Sequence, residues 1–521
     1  MKALKNNFIL SSLTGLLLSA AWFNNNTTLL IFVAFVPLLF VIQNNYPQKN
    51  LLLHCFWAML LFNSLTTWWI WNSTAIGALF AIVANSWLMC LPFWLFIKLH
   101  KTIPTLKFFV LVGFWMLFEW IHLNWQLSWP WLTLGNVFAN KTILIQWYEF
   151  TGVAGGTLWI WIMNILIFQF INSYKTNSRK KIITKGLVIL TIFIIPTIFS
   201  VLLKFHMVTP PPQKNIVIVQ PNIDPYQKFG FISPAEQVNK LIALTKNSID
   251  SNTALIVWPE TALSGNVDIS LVQQANLYQQ IFEFVQQHPS ATILTGIETY
   301  KVLGPNSESV YAQKSAEGIY YESYNAATTI SANKNLHYHI KSKLVPGVET
   351  LPTFLNILAP VFEKFGGTTG GYAKDDAIHV LYSKDSTYKI APIICYESIY
   401  GEYITEFIKN GANIIAIITN DGWWGNTPGY KQHLSYAKLR AIETRRCIAR
   451  SANTGVSAFI NQYGDIQENL GWAKEGSIKY NLPTKERLTF YTIYGDYLYK
   501  AAALLSLLIF IYFMAIKFKK K

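Results

Sequence analysis

Ile393-Ile394-Cys395-Tyr396-Glu397 puts one cysteine at the end of a short apolar run and a carboxylate two residues later. A run of this length, bounded by turn signals, reads as a buried strand. A thiol at the end of such a strand is held rigidly yet can be reached from outside the sheet. Alone, the pattern describes a small buried core residue better than a nucleophile. Two distant stretches weigh toward chemistry. One is Val257-Trp258-Pro259-Glu260; the other is Lys341 ahead of Leu344-Val345-Pro346. A Cys, a Glu and a Lys together supply a nucleophile, a proton shuttle and a cation for an oxyanion.

Working outward from Cys395, short apolar runs alternate with amphipathic stretches. Strands are expected at Asn215 to Val219, Ala254 to Trp258, Ala291 to Gly296, 324–331, 335–340, 387–394, 413–418 and 456–460. Helices are expected at 234–249, 269–287, 398–409 and 429–448. This alternation indicates α/β layers. Pro392, lacking a ladder donor, suits an edge strand or a bulge.

Only 13% of the 521 residues are charged and 52% are apolar, whereas soluble proteins carry about a quarter charged residues. The deficit lies in the first two hundred residues and at the extreme C-terminus. A membrane helix needs about 20 largely apolar residues. About eight spans are expected, at 8–23, 28–43, 51–71, 76–98, 107–122, 152–172, 185–204 and 499–517. The chain thus divides into a seven-span region (1–206), an α/β domain (213–495) opening after Pro210-Pro211-Pro212, and a last span (499–517).

The net charge of +15 points to a membrane rather than to nucleic acid, because many lysines flank apolar runs. Lys and Arg mark cytoplasmic loops. With the N-terminus inside, the cytoplasmic segments hold Lys2, Lys5, Lys49, Lys98, Lys101, Lys107, Lys175, Arg179, Lys180, Lys181 and Lys185, with Lys517 and Lys519 to Lys521 in the tail. The short outer loops hold Lys141. Both termini are then cytoplasmic and the α/β domain lies outside. Trp125, Trp129, Trp131 and Trp147, with Glu119 and Glu149, are expected at the membrane interface as an aromatic belt.

Cys55, Cys90, Cys395 and Cys447 form no CxxC or Cys/His spacing, so neither a disulfide framework nor a metal site is expected. His337 and His339 lack carboxylate or cysteine partners at metal-ligand spacing. Glu260, at a strand end behind a proline, is the candidate general base. Lys341 is the candidate oxyanion cation, with Lys343 its near competitor. One of Glu349 and Glu397 could hold the lysine in place. Asn420 to Gly425 could form a pocket wall or only a turn.

In this order, the Glu after Trp-Pro, the Lys before Leu-Val-Pro and the Cys-Tyr-Glu resemble the nitrilase, or carbon–nitrogen hydrolase, superfamily. The apolar spans resemble its membrane-embedded branch, the apolipoprotein N-acyltransferases. The resemblance implies an α-β-β-α sandwich and a Glu260-Lys341-Cys395 triad. It adds Tyr396 and Glu397 as activity-linked positions, Glu349 as the second glutamate after the lysine motif, and Asn325 as part of a pocket strand. Val219 to Ile223 resembles the opening strand, and Arg450 to Gly455 a late segment. The chain departs at Leu344-Val345-Pro346-Gly347-Val348-Glu349, where Leu-Val-Pro-Phe-Gly-Glu is the familiar form.

The implied activity is transfer of a fatty acyl chain from a phospholipid, typically phosphatidylethanolamine, to the N-terminal amine of a diacylated apolipoprotein. It would run through a Cys395 thioester, without a cofactor, in a monomer of the bacterial inner membrane with its catalytic domain in the periplasm. The alternative is a membrane-anchored amidase acting on a small molecule, which would share the triad.

Overall fold

The computed structural model describes residues 6–45, 50–99, 106–174, 176–206, 211, 213–228, 230–333, 335–350 and 371–519. The chain divides into two compact units: one of helices before residue 207 together with the segment from Tyr494, the other chiefly the segment between. Lys2, Lys5, Lys49, Lys101, Lys175, Lys520, Lys521, Pro210 and Pro212, which figure in the topology and spacer expectations, lie outside the described residues.

In the helical unit, all eight expected spans contain helix. Among the described residues five helices are long and apolar enough to cross a membrane: Leu51–Asn72, Ala75–Leu99, Tyr148–Ser173, Arg179–His206 and Tyr497–Phe518. Asn7–Phe23 and Thr28–Gln43 are apolar but shorter, which follows from the asparagine turn between them. Lys107–Asn124 carries Lys107 and Glu119 within 18 residues.

The interior of this unit is aromatic. Phe35 stacks on Trp161 at 4.3 Å, and Trp115 meets both rings edge-on. The tryptophan-rich loop divides, with Trp125 and Trp129 partly exposed. Trp131 and Trp147 are buried, as are Glu119 and Glu149. Three 3-10 turns, Pro130–Leu132, Leu134–Asn140 and Thr142–Leu144, fold the loop inward. Glu119 compensates its burial with four donors: the indole of Trp115 (3.0 Å), the amide of Leu134 (2.9 Å), and the hydroxyls of Thr157 and Tyr499 (both 2.8 Å). A buried carboxylate is tolerated only when so satisfied. This one ties three helices together.

The second unit is built on two sheets. Its strands are β1 (Asn215–Gln220), β2 (Thr253–Val257), β3 (Leu263–Asp268), β4 (Thr292–Gly304), β5 (Gln313–Lys314), β6 (Tyr320–Ile330), β7 (His337–Ile340), β8 (Leu381–Tyr382), β9 (Lys389–Ile394), β10 (Ile414–Thr419), β11 (Ile448–Ala452), β12 (Ser457–Ile460), β13 (Ile466–Leu470) and β14 (Gly476–Tyr480). One sheet runs β14-β1-β2-β4-β6-β5, with β3 beside β4 and β7 beside β6; the other runs β13-β12-β11-β10-β9-β8. Each has a parallel centre, β1-β2-β4 and β9-β10-β11.

The alternation of side chains assigns the layers. Ile216 and Ile218 of β1, Leu255 and Val257 of β2, and Ile414, Ala416 and Ile418 of β10 share one buried core between the sheets. Val217, Val219 and Ile256 face the other way, onto Val238 and Leu241 of the helix Pro234–Lys246 and Ile281 and Val285 of the helix Gln279–Gln287. On the far side the helices Gly401–Lys409 and Pro428–Thr444 follow β9 and β10. The unit is therefore an α-β-β-α arrangement.

Some boundaries differ from expectation. The helix at 269–287 shrinks to Gln279–Gln287, and residues 263–268 instead form β3. The helix at 429–448 stops at Thr444, because Arg445 turns left-handed with φ +52°, and β11 follows. Pro392 sits where β9 has no partner on its β8 side and keeps regular register with β10 on the other. It is an edge proline, not a bulge.

Candidate active site

Strand ends bring the site together. Glu260 lies three residues past β2, Lys341 directly past β7, and Cys395 directly past β9. In sheets with parallel centres, the carboxyl ends of strands are where sites are built. The Lys341 ammonium donates to Glu260 Oε1 at 3.0 Å and to Glu349 Oε1 at 2.7 Å. Asn325, on β6, donates from Nδ2 to the same Glu260 oxygen at 2.9 Å. The backbone N–H of Lys341 is held by the Asn325 carbonyl at 2.9 Å. Cys395 is in electrostatic reach of both Glu260 and Lys341. The three expected catalytic side chains thus converge, with Asn325 and Glu349 beside them.

Lys341 and Lys343 separate cleanly. Lys341 is buried between two carboxylates; burial alone would discharge it, but Glu260 and Glu349 hold its pKa well above the ordinary lysine value. Lys343 lies outside this cluster, with its ammonium over the rings of Tyr400 (5.5 Å) and Tyr403 (5.6 Å). Glu349 is raised by its own burial, against the pull of Lys341. The departure at Gly347 leaves its carboxylate in place: Gly347 takes φ +80°, and Glu349 Oε2 closes the turn on the Val345 amide at 2.8 Å.

Among the four cysteines, Cys395 alone is partly exposed; Cys55, Cys90 and Cys447 are buried. Burial of its sulfur, then the nearby Glu260 carboxylate, push its thiol well above the usual range, while Lys341 pulls it down. A thiol raised in this way needs a proton acceptor in order to attack. Its backbone is left-handed, φ +50°. Such strain costs about 1–3 kcal/mol and persists where the surroundings enforce it.

Glu397 braces the strand end just before Cys395. Fully buried, it accepts from the amides of Ile394 (2.9 Å), Ser342 (2.7 Å) and Lys343 (3.3 Å) and from the Tyr403 hydroxyl (2.9 Å). Burial opposes its charge, but His339 and these donors hold its pKa below the ordinary glutamate value. The carboxylate fastens the end of β9 to the segment just after Lys341. His339 thus serves this carboxylate, with Nε2 3.4 Å away. Among the described residues no group of three or more His, Cys, Asp or Glu could hold a metal ion. Tyr396 is buried edge-on against Tyr400 at 5.4 Å.

Two features escaped the sequence reading. Lys228 is buried and donates to the Glu260 carbonyl (3.1 Å) and to the Thr261 hydroxyl (2.6 Å), and burial lowers its pKa to about 8. Thr261 has φ +48°, so a buried cation braces a second left-handed turn beside the cluster. The other is a network of Asp421, His433, Arg450 and Ser398 below Cys395. Asp421 and Arg450 fall in stretches that the sequence analysis singled out; His433 carries no pattern.

Gly296 allows Glu260 its position. A Cβ there would stand 2.4 Å from the Thr261 nitrogen and 2.6 Å from Glu260 Cα. Gly296→Ala is expected to cost about 1–3 kcal/mol by overpacking and to lower turnover about tenfold or more by displacing Glu260. Thermal melting and steady-state rates on the same preparation check both.

Residues 216–487 match the carbon–nitrogen hydrolase family, and residues 14–166 match the apolipoprotein N-acyltransferase N-terminal domain. The chain is 29% identical over 509 residues to an apolipoprotein N-acyltransferase of Chlorobaculum tepidum, covering 95% of this chain and 94% of that protein. It is 24% identical to the enzyme of that name from Thermotoga maritima, covering 96% and 92%. A solved nitrilase-superfamily amidase of Nesterenkonia covers 56% of this chain and 96% of its own, at 14% identity and TM-score 0.36.

Proposed function

Because the chain belongs to the carbon–nitrogen hydrolase family and carries the N-terminal domain of the apolipoprotein N-acyltransferases, we propose that it moves a fatty acyl chain from a phospholipid, phosphatidylethanolamine being the typical donor, to the N-terminal amine of diacylated apolipoproteins. The observation that carries this reading is the cluster of Cys395, Glu260 and Lys341 in a chain that also holds, among its described residues, five long apolar helices. Helices that keep an enzyme at the bilayer suit an acyl donor and an acceptor that both reside there. They add nothing to hydrolysis of a small soluble amide.

The reaction in this reading has two halves. In the first, the Cys395 sulfur attacks an ester carbonyl of the phospholipid while its proton passes to Glu260. The carbonyl oxygen becomes an oxyanion, held by the Lys341 ammonium and by the backbone N–H of Tyr396. As the tetrahedral adduct collapses, the carbon–oxygen bond to glycerol breaks. Glu260 returns the proton to that oxygen, releasing lysophospholipid and leaving a thioester. In the second, the amine of the lipoprotein's diacylglyceryl-cysteine attacks the thioester and gives its proton to Glu260. The carbon–sulfur bond breaks, the proton returns to sulfur, and an amide is formed. Covalent catalysis of this kind splits one difficult transfer into two.

In this reading all eight apolar segments span the inner membrane, with both termini cytoplasmic and the catalytic unit periplasmic. Lys98, Lys107, Arg179, Lys180, Lys181 and Lys185 would mark the inner side. The reacting cluster is complete within one chain, as a monomeric enzyme requires. Intact-mass measurement after incubation with phosphatidylethanolamine is the direct test. One acyl mass on Cys395, released by a diacylated lipopeptide with transfer of the acyl chain, is the expected result. Faster release of ammonia from simple amides than of acyl chains to the lipopeptide would instead make the protein an amidase.

A further inference from the structure

Below Cys395 lies a buried network with the residue types of a serine hydrolase. Ser398 Oγ is 2.8 Å from His433 Nε2, and His433 Nδ1 is 2.9 Å from Asp421 Oδ1. The Arg450 guanidinium donates to Asp421 Oδ2 at 2.7 Å and to the Val456 carbonyl at 2.6 Å. Ser398, His433, Asp421 and Arg450 are each no more than 1% exposed. No substrate reaches this serine, and its hydroxyl already donates to the Cys395 carbonyl at 2.8 Å. The constellation is not a second nucleophile.

It touches Cys395 in two places. The Cys395 carbonyl oxygen receives Ser398 Oγ and lies 3.2 Å from His433 Nε2. Thr419 in turn donates to Asp421 Oδ1 at 2.9 Å. One aspartate therefore anchors the imidazole and, through it, the hydroxyl that hold the carbonyl of a residue in a strained, left-handed conformation. The peptide group is planar, with its C=O and N–H opposed. Fixing the Cys395 carbonyl consequently fixes the direction of the Tyr396 N–H. A buried carboxylate is costly unless it is paired, and Asp421 is paired with Arg450 at 2.7 Å.

We propose that Ser398, His433 and Asp421, with Arg450 as counter-charge, form a positioning relay. It holds the Cys395–Tyr396 peptide so that the thiol and the oxyanion-binding N–H face one carbonyl carbon. This rests on Cys395 being the acylated residue. The four side chains touch no substrate; they act through the peptide. Misalignment of a reacting group by about 1 Å costs roughly a hundredfold in rate.

The test uses full-length protein in detergent, a p-nitrophenyl fatty-acid ester and iodoacetamide. Ester attack needs an oxyanion whatever the physiological donor; alkylation needs only the thiol. Ser398→Ala and His433→Phe are each expected to lower kcat on the ester about a hundredfold. KM and the rate of Cys395 alkylation should stay within about threefold of the parent. An unchanged kcat, or alkylation falling in step with kcat, overturns the relay, as does an acyl mass on Ser398. If His433→Phe does not fold, Ser398→Ala alone decides. Parent protein acylated by the ester but not by phospholipid would refute the proposed donor and leave the relay intact. Parent protein acylated by neither would refute both.

Discussion

Cys395→Ala leaves a folded protein that forms no acyl adduct and transfers acyl chains at least about a thousandfold more slowly. The size of the effect follows from the other thiols. Cys55, Cys90 and Cys447 are buried, and burial raises the pKa of Cys447 to about 12, so none can stand in for the missing sulfur. The fold should survive because the substitution removes one atom from a partly exposed position at the rim of the inter-sheet core. Intact mass after incubation with phospholipid reads the chemistry, and melting in detergent reads the fold. An acyl mass that persists in the alanine variant would refute the proposed nucleophile outright.

Lys341→Ala should damage both activity and stability, unlike Cys395→Ala. Its ammonium is the shared partner of Glu260 and Glu349, at 3.0 and 2.7 Å, and all three side chains are largely out of solvent. Removing the cation leaves two carboxylates facing each other without compensation. Breaking a buried pair in this way costs about 3–5 kcal/mol. The thiol also loses the charge that draws its pKa down, so alkylation of Cys395 should slow as well. Transfer should fall about a thousandfold, because the oxyanion loses its cation. Lys343→Ala should change transfer less than about threefold, since that ammonium rests on two tyrosine rings and such contacts are worth about 1 kcal/mol. Parallel melting curves and rates for the two variants decide the matter; equal losses would return Lys343 to the mechanism.

What the sequence disclosed depended on how locally each feature is encoded. Strands β1, β2, β9 and β10 are buried on both faces, so they appear as apolar runs with turn residues at each end. Strand β3, Leu-Ser-Gly-Asn-Val-Asp, is half exposed and has no such signature. The residues after it carry apolar positions at helical spacing, which moved the expected helix start to 269. The helix before β11 gave no stop signal, because Arg445 rather than glycine makes the left-handed turn.

The reacting cluster was legible only as motifs. Nothing in local spacing states that residues 260, 341 and 395 meet; the family resemblance suggested it and the strand ends accomplish it. The network around His433 was invisible for a related reason. Its members are spread over about fifty residues, and each is a common residue type in an ordinary context. Buried charges are explained by partners, and partners are a property of the folded chain. The aromatic loop is the converse case, since clustered tryptophans look the same in sequence whether they meet lipid or one another.

The fourfold-bonded Glu397 has a consequence for motion. Its carboxylate accepts from the amides of Ile394 and Ser342 together, so the end of β9 and the chain beside Lys341 cannot open separately without stranding a buried anion. Local opening proceeds in cooperative units, and this bond pattern merges two neighbouring ones. The amide hydrogens of Ile394 and Ser342 should therefore exchange with solvent in one event, at one opening free energy. The site is then either assembled or absent, and no partly built form in which the thiol is presented without its lysine is populated.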